Sequence, residues 1–109
     1  MLEIGPREYR ERWSEADEQS GRVILLDVRE DHELAVARLP QAVHIPMGEV
    51  PARIGELDAS KPLVVLCRSG GRSAQVGGYL EQHGFSDVYN LTGGINAWAE
   101  ELDPTLTIY

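Results

Sequence analysis

The chain contains one cysteine, Cys67, and this residue is the clearest candidate for chemistry. It follows the apolar run Leu63–Leu66, which is typical of a buried parallel strand. Gly70 and Gly71 then bend the chain, and a helix is predicted to begin at about Arg72. Loop amides and a helix N-terminus favour an anion, so a thiol placed there loses its proton easily. Position alone predicts a reactive nucleophile and an inert buried cysteine equally well.

The local charge favours the reactive alternative. The whole chain has a net charge of -8, yet no Asp or Glu occurs from residue 61 to residue 80. The same stretch contains three cations, Lys61, Arg68 and Arg72. A cationic loop around a thiolate suits an anionic substrate, and arginine offers paired donors to an oxyanion. Solvated surface arginines are the simpler alternative, but they do not explain why acids are absent around the lone thiol.

The segment 67–73, Cys-Arg-Ser-Gly-Gly-Arg-Ser, resembles the active-site loop of rhodanese domains, which are thiosulfate sulfurtransferases and their relatives. Residues 25–30, with Asp-x-Arg, residues 40–46 and residues 91–98, with Gly-Gly and Trp, resemble other motifs of this family in the same order. Four modest motifs in order make a specific signal over roughly residues 3–102. Ala37 and Arg38 stand where the family has Gly-His, so we expect an altered loop there with the chemistry retained.

The resemblance implies sulfur transfer in two steps through Cys67, without a cofactor or a metal. The thiolate would take the outer sulfur of thiosulfate, or of a similar small anionic donor, and become a persulfide. Cyanide or a thiol would then accept that sulfur. The residues that would bind the donor and the persulfide are Arg68, Ser69, Gly70, Gly71, Arg72 and Ser73.

The members of this loop would have different roles. The two arginines would attract the donor's sulfonate, the two serines would donate hydrogen bonds, and the glycines would shape the backbone. We expect Arg72, at the start of the helix, to position the loop, and Arg68 to attract the donor.

Three other functions share part of this pattern with small-molecule sulfur transfer. A persulfide carrier that hands sulfur to a protein acceptor, in cofactor or tRNA thiolation, has the same sequence features. A non-catalytic rhodanese-like interaction module often lacks the cysteine, so the presence of Cys67 with both arginines favours catalysis. Cysteine phosphatases use a Cys-x5-Arg loop, whereas Cys67 to Arg72 is Cys-x4-Arg, which by analogy suits a sulfur atom better than phosphate.

The elements that must position this loop alternate between strands and helices. Strands are predicted at residues 2–4, 23–28, 42–45, 63–66 and 88–91. Helices are predicted at residues 6–18, 31–36, 47–57 and 72–83, followed by a last helix with Ile95, Trp98 and Leu102 on one face. Short connections then give a three-layer α/β domain, with a mainly parallel five-stranded sheet and helices on both faces. Residues 1–109 form one domain, with a core of about 3–102 and a tail at 103–109.

Asp27 and Arg29 lie on one face at the end of the second predicted strand. We expect Asp27 to be structural, in an ion pair or a helix cap. Ligands of open α/β sheets bind at the carboxyl edge of the strands, so Arg29 is a candidate residue for lining the site.

The composition argues against several kinds of partner and site. The acidic balance disfavours nucleic acid and anionic membranes. No stretch approaches the ~20 apolar residues of a membrane span, and the first residues do not look like a signal peptide. One cysteine excludes an internal disulfide and suits a reducing compartment, so we predict a cytoplasmic protein. The histidines lack the spacing of metal ligands: His32, His44 and His83.

Overall fold

Five short strands form one parallel sheet in the order β1-β5-β4-β2-β3. They are β1 Leu2–Ile4, β2 Ile24–Asp27, β3 Val43–His44, β4 Leu63–Leu66 and β5 Val88–Leu91. The structure is a computed structural model, and it describes all residues, Met1–Tyr109. The predicted five-stranded sheet is confirmed. Strand β4 lies in the middle, which explains its uninterrupted apolar sequence, because both faces of a central parallel strand are covered.

Six α-helices pack around the sheet. They are α1 Pro6–Arg12, α2 Glu15–Ser20, α3 Asp31–Leu34, α4 Val50–Arg53, α5 Gly71–Gln82 and α6 Gly94–Glu101. The prediction of one helix over residues 6–18 is wrong. Ser14 caps α2 by accepting from the amide of Asp17, whose carboxylate accepts from the Ser14 amide, and this capping box starts a new helix. None of the six helices is both long and apolar enough to cross a membrane.

Two apolar clusters fill the space on the two faces of the sheet. Alternation along β4 sends Val64 and Leu66 into one cluster and Leu63 and Val65 into the other. The first cluster packs against α1 and α6, and the second packs against α4 and α5. The molecule therefore has helices on both faces of the sheet, as the alternation of elements predicts.

The last segment of the sequence differs from its prediction as a tail. Leu106 and Tyr109 pack against the first apolar cluster. The Tyr109 amide donates to Oδ1 of Asn96 at 3.3 Å, and its carbonyl accepts from Nδ2 of the same side chain at 3.0 Å. Residues 103–109 form no helix or strand, so no periodic pattern in the sequence indicates that they fold back.

Candidate active site

Cys67 follows β4 directly and lies at the floor of the loop formed by residues 67–73. The residue is only 1% exposed. The Gly70 amide donates to its Sγ at 3.1 Å. Gly70 has a φ of 118°, in the left-handed region that favours glycine, so the chain turns there and brings this amide back over the sulfur. Helix α5 begins at Gly71, one residue before the predicted start.

The start of α6 holds the other side of the loop backbone. The amides of Ile95 and Asn96 donate to the carbonyls of Cys67 and Arg68, at 2.9 and 3.2 Å. Gly94 permits this approach, because a Cβ there would overlap the same two carbonyl groups. In a trans peptide the N–H points opposite to the carbonyl. Once these carbonyls face α6, the following amides of the loop point away from it, toward the side on which the sulfur lies.

A chain of polar side chains runs from the thiol to the edge of the sheet. The Cys67 Sγ lies 3.3 Å from Ser73 Oγ, which lies 2.5 Å from Asn90 Oδ1, so the one proton of the Ser73 hydroxyl can bond either Asn90 or an ionised Cys67. The Asn90 Nδ2 donates to the Glu3 carboxylate at 3.1 and 3.2 Å and to the Gly70 carbonyl at 3.1 Å. Both of these partners only accept, so they fix the orientation of the Asn90 amide.

These contacts lower the pKa of Cys67. Burial acts to raise it, but the hydrogen bonds from the Ser73 side chain and from the amides of Ser73, Gly70 and Ser69 outweigh the burial. A thiolate is therefore stabilised without a histidine base. The hydroxyl of Ser73 is buried beside the sulfur, whereas the Ser69 side chain is exposed on the outside of the loop.

Arg72 forms a paired contact with Glu33, with Nη1–Oε1 and Nη2–Oε2 distances of 2.6 and 2.9 Å. The Tyr109 hydroxyl donates to the same carboxylate at 2.6 Å. The hydrogen bond from Arg72, with a smaller contribution from Tyr109, holds the pKa of Glu33 well below its usual range. Glu33 is 7% exposed, so its charge is retained in the interior by these partners. The positive charge of Arg72 is largely offset by Glu33.

Arg29 is fully buried and does not line the loop, in contrast to the expectation from its place at the strand end. Its guanidinium pairs with Asp27, with an Nη2–Oδ2 distance of 2.8 Å. The remaining N–H groups donate to the carbonyls of Glu33 and Ala37 and to the hydroxyl of Tyr109. Asp27 thus lies in an ion pair, and Arg29 stabilises the position of Glu33 by donating to its backbone carbonyl.

Arg68 is exposed and forms no ion pair. Its guanidinium carbon lies 4.9 Å from the centre of the Tyr109 ring, in a cation–π contact. Arg68 therefore carries the uncompensated positive charge of the loop.

Sequence reasoning missed three side chains that support the loop: Glu33, Asn90 and Tyr109. Glu33 lies in a short polar helix, and Asn90 interrupts an apolar strand, so neither pattern indicates a partner. The one available signal was the acid-free stretch around Cys67, since it leaves the loop arginines without nearby counterions. The structure contains no group of three or more His, Cys, Asp or Glu side chains that could hold a metal ion.

Comparison with known proteins gives the family. The sequence pattern of the rhodanese-like domain matches residues 10–101. The chain is 49% identical over 90 residues to YtwF of Bacillus subtilis (strain 168), which is named as a sulfurtransferase, with 83% of this chain and 84% of that protein covered. It is 39% identical over 75 residues to the thiosulfate sulfurtransferase GlpE of Pseudomonas syringae pv. syringae, with 69% and 71% covered.

A solved structure gives the same result. The rhodanese-like domain protein from Staphylococcus aureus superposes with a TM-score of 0.80 at 34% identity, over 100% of this chain and 99% of that chain. The order of strands, the loop at the end of β4 and these similarities agree. The chain belongs to the rhodanese-like domain family.

Proposed function

We propose that this protein is a sulfurtransferase that transfers sulfane sulfur through a persulfide on Cys67. The observation that carries the proposal is the set of hydrogen bonds around Sγ, with the Gly70 amide at 3.1 Å and Ser73 Oγ at 3.3 Å. These groups stabilise an anion on sulfur, and the thiolate is the nucleophilic form of cysteine. The relatives named as sulfurtransferases support the same class of reaction.

The first step forms one S–S bond and breaks another. The Cys67 thiolate attacks the outer sulfur of thiosulfate, and sulfite leaves with the electron pair of the S–S bond that breaks. The product is a persulfide anion, whose charge now lies on the outer sulfur. The loop amides that stabilise the thiolate are placed to stabilise this anion as well, because the charge moves by one bond only.

The second step regenerates the enzyme. Cyanide, or the thiolate of an acceptor thiol, attacks the outer sulfur of the persulfide. The S–S bond breaks, and its electron pair returns to Sγ of Cys67 as thiolate. No proton is needed in either step when the acceptor is an anion, which agrees with a site that has no histidine beside the sulfur.

The two arginines of the loop divide the work. Arg68 is exposed and without a counterion, so it attracts the anionic donor. Arg72 is held by Glu33 and keeps the start of α5 in place.

The engagement of Arg72 also favours sulfur transfer over phosphate chemistry. A cysteine phosphatase needs the paired donors of its loop arginine for the phosphate oxygens. Here both terminal nitrogens of Arg72 donate to Glu33, at 2.6 and 2.9 Å. A phosphate ester would have to displace this carboxylate, whereas a single sulfur atom needs only the loop amides.

The proposal is tested by measuring the intact mass of the protein after incubation with thiosulfate. We expect a gain of one sulfur atom, its removal by a reducing thiol or by cyanide, and formation of thiocyanate. Cys67→Ser is expected to keep the fold, to gain no sulfur and to lose cyanide-dependent turnover completely. Sulfur transfer by the serine variant, or a wild-type protein that takes no sulfur from thiosulfate or from other sulfane donors, would refute the proposal.

A further inference from the structure

The side chain of Tyr109 connects the two arginines of the loop. Its hydroxyl donates to Glu33 at 2.6 Å and accepts from Arg29 at 2.9 Å. Glu33 in turn holds Arg72. The guanidinium of Arg68 lies over the ring of the same tyrosine, 4.9 Å from its centre. One residue, outside every motif of the sequence, therefore contacts Arg68 directly and Arg72 through one carboxylate.

Tyr109 is itself held by the element that holds the loop. The side chain of Asn96 accepts a hydrogen bond from the amide of Tyr109 and donates one to its carbonyl. The backbone amide of Asn96 donates a hydrogen bond to the carbonyl of Arg68. The backbones of Tyr109 and Arg68 are thus both attached to the first turn of α6, so the distance between the ring and the start of the Arg68 side chain is defined.

Arg68 differs from the other arginines near the site in the chemistry of its partner, which is the aromatic ring of Tyr109. The other two arginines near the site are paired with carboxylates, Arg72 with Glu33 and Arg29 with Asp27. A carboxylate fixes a guanidinium but cancels its charge at a distance. An aromatic ring also restricts the guanidinium, yet it has no net charge. Tyr109 therefore reduces the conformational freedom of Arg68 and leaves its positive charge available to an anion.

We propose that Tyr109 is a positioning residue that holds Arg68 beside the loop with its charge uncompensated, so that anionic donors are drawn toward Cys67. The identity of the anion as a sulfane donor rests on the proposed function. The positioning of Arg68 rests on the contacts of Tyr109 alone, and it is tested separately from sulfur transfer.

The test compares the rates at which iodoacetate and iodoacetamide alkylate Cys67. The two reagents have almost the same size and react with the same thiolate, but only iodoacetate is negatively charged. Their rate ratio therefore reports the positive field at Cys67, because access to the sulfur and the fraction of thiolate cancel. Alkylation requires no sulfur donor, so the ratio is measurable even if the protein transfers no sulfur.

Three substitutions separate the contributions. Tyr109→Leu removes both the ring and the hydroxyl and keeps an apolar side chain against the first apolar cluster. Tyr109→Phe removes only the hydroxyl. Arg68→Gln removes the charge that the ring is proposed to hold. Ile108→Ala is the matched control, since the neighbouring Ile108 is 52% exposed.

We expect Tyr109→Leu to lower the ratio by about two- to fivefold, the range for one cation–π contact at an exposed site. Tyr109→Phe and Ile108→Ala are expected to keep the wild-type ratio. In the Arg68→Gln background, Tyr109→Leu is expected to cause no further decrease, because the two side chains act as one unit. With thiosulfate, Tyr109→Leu is expected to raise KM by a similar factor and to change kcat less.

The proposal is overturned if Tyr109→Leu keeps or raises the ratio in a folded protein, or if its effect persists without Arg68. It is also overturned if Arg68→Gln leaves the ratio unchanged, since Arg68 would then exert no field at the sulfur. Tyr109→Met provides the same comparison should the leucine variant fail to fold. Absence of a persulfide in the wild type, with the alkylation result as expected, would refute the proposed function and leave the positioning role intact.

Discussion

The two sides of the Cys67 loop are supported by different kinds of interaction. The neutral side consists of Ser73 and Asn90, and its Ser73 hydroxyl contacts the sulfur directly; beyond it lies the exposed carboxylate of Glu3, which Asn90 also bonds. The charged side consists of Glu33, Arg29, Tyr109 and the loop residue Arg72, and it contacts the loop at the side chains of Arg72 and Arg68. No buried side-chain nitrogen or oxygen lacks a hydrogen-bond partner on either side. The difference lies in charge and in what each side touches.

This comparison separates two tasks that a reactive thiol requires. The neutral side acts on the proton of Cys67, because its hydroxyl is the side-chain group within reach of Sγ. The charged side acts on the shape of the loop and on the field around it, because its ions pair with one another. A change on the neutral side is therefore expected to alter reactivity with little loss of stability. A change on the charged side is expected to alter stability first.

The largest effect is expected from Glu33→Gln, which breaks the charged side at its centre. Removing one partner of a buried ion pair costs ~3–5 kcal/mol. The side chain of Arg72 keeps 32% of its surface exposed. We therefore expect a loss of about 2–3 kcal/mol in the free energy of unfolding, measured by urea denaturation at pH 7. Glu100→Gln, at an exposed position on α6, is the matched control.

The same variant makes a prediction about pH. Because the fold lowers the pKa of Glu33, the stability it contributes is present above the ordinary pKa of glutamate, about 4.3, and is lost as the pH falls further. The difference between wild type and Glu33→Gln should thus be constant near neutral pH and shrink below about pH 4. A difference that stays constant into acid would mean that the carboxylate charge of Glu33 is not what holds Arg72.

Ser73→Ala, on the neutral side, is expected to change stability less than Glu33→Gln does. It is expected to change the reactivity of Cys67 directly. Loss of the hydroxyl removes a hydrogen bond that lowers the pKa of Cys67, so this pKa should rise. The measurement is the rate of alkylation by iodoacetamide as a function of pH. Ser69→Ala should move the midpoint less, since the amide of Ser69 is the group that acts on the sulfur. Equal midpoints in Ser73→Ala and wild type would show that the amides alone stabilise the thiolate.

The smallest effect is expected from Asn90→Leu, and its direction is opposite. The Ser73 hydroxyl has one proton, for which Asn90 Oδ1 at 2.5 Å and the Cys67 thiolate at 3.3 Å compete. A leucine cannot accept it, so the proton becomes free to bond the thiolate, and the alkylation midpoint should fall. A rise would instead indicate that Asn90 acts through the Gly70 carbonyl, which it also holds. The shift of the alkylation midpoint is interpreted for a folded variant, and a thermal unfolding curve of Asn90→Leu establishes that it is folded.

The loop around Cys67 was predictable because its determinants are contiguous. The buried strand, the cysteine, the glycine turn and the start of α5 all fall between Leu63 and Ser73. Each of them has a local signal: a run of apolar residues, a pair of glycines, and a stretch without acids. The parallel sheet followed in the same way, since strands that alternate with helices have few other arrangements.

Two local signals conflict near Ser14, and the prediction that followed the helical spacing is wrong. Tyr9, Trp13 and Ala16 recur at helical spacing and predict one continuous helix. In the structure Tyr9 and Trp13 are buried and Ala16 is exposed. A second helix starts at this point instead, because the side chains of Ser14 and Asp17 form a capping box that satisfies amides left unpaired at a helix start.

The strand, the turn and the thiol of this site follow from the order of residues alone, because they depend on residues that are neighbours in the chain. The polar side chains that surround them come from distant parts of the chain and are brought there by the fold. Arg72 meets Glu33 across 39 positions, Ser73 meets Asn90 across 17, and Arg29 meets Tyr109 across 80. A periodic pattern reports which apolar residues are buried, but a buried charge or amide is stable only beside a specific partner. That partner is brought into place by the packing of the whole sheet and its helices.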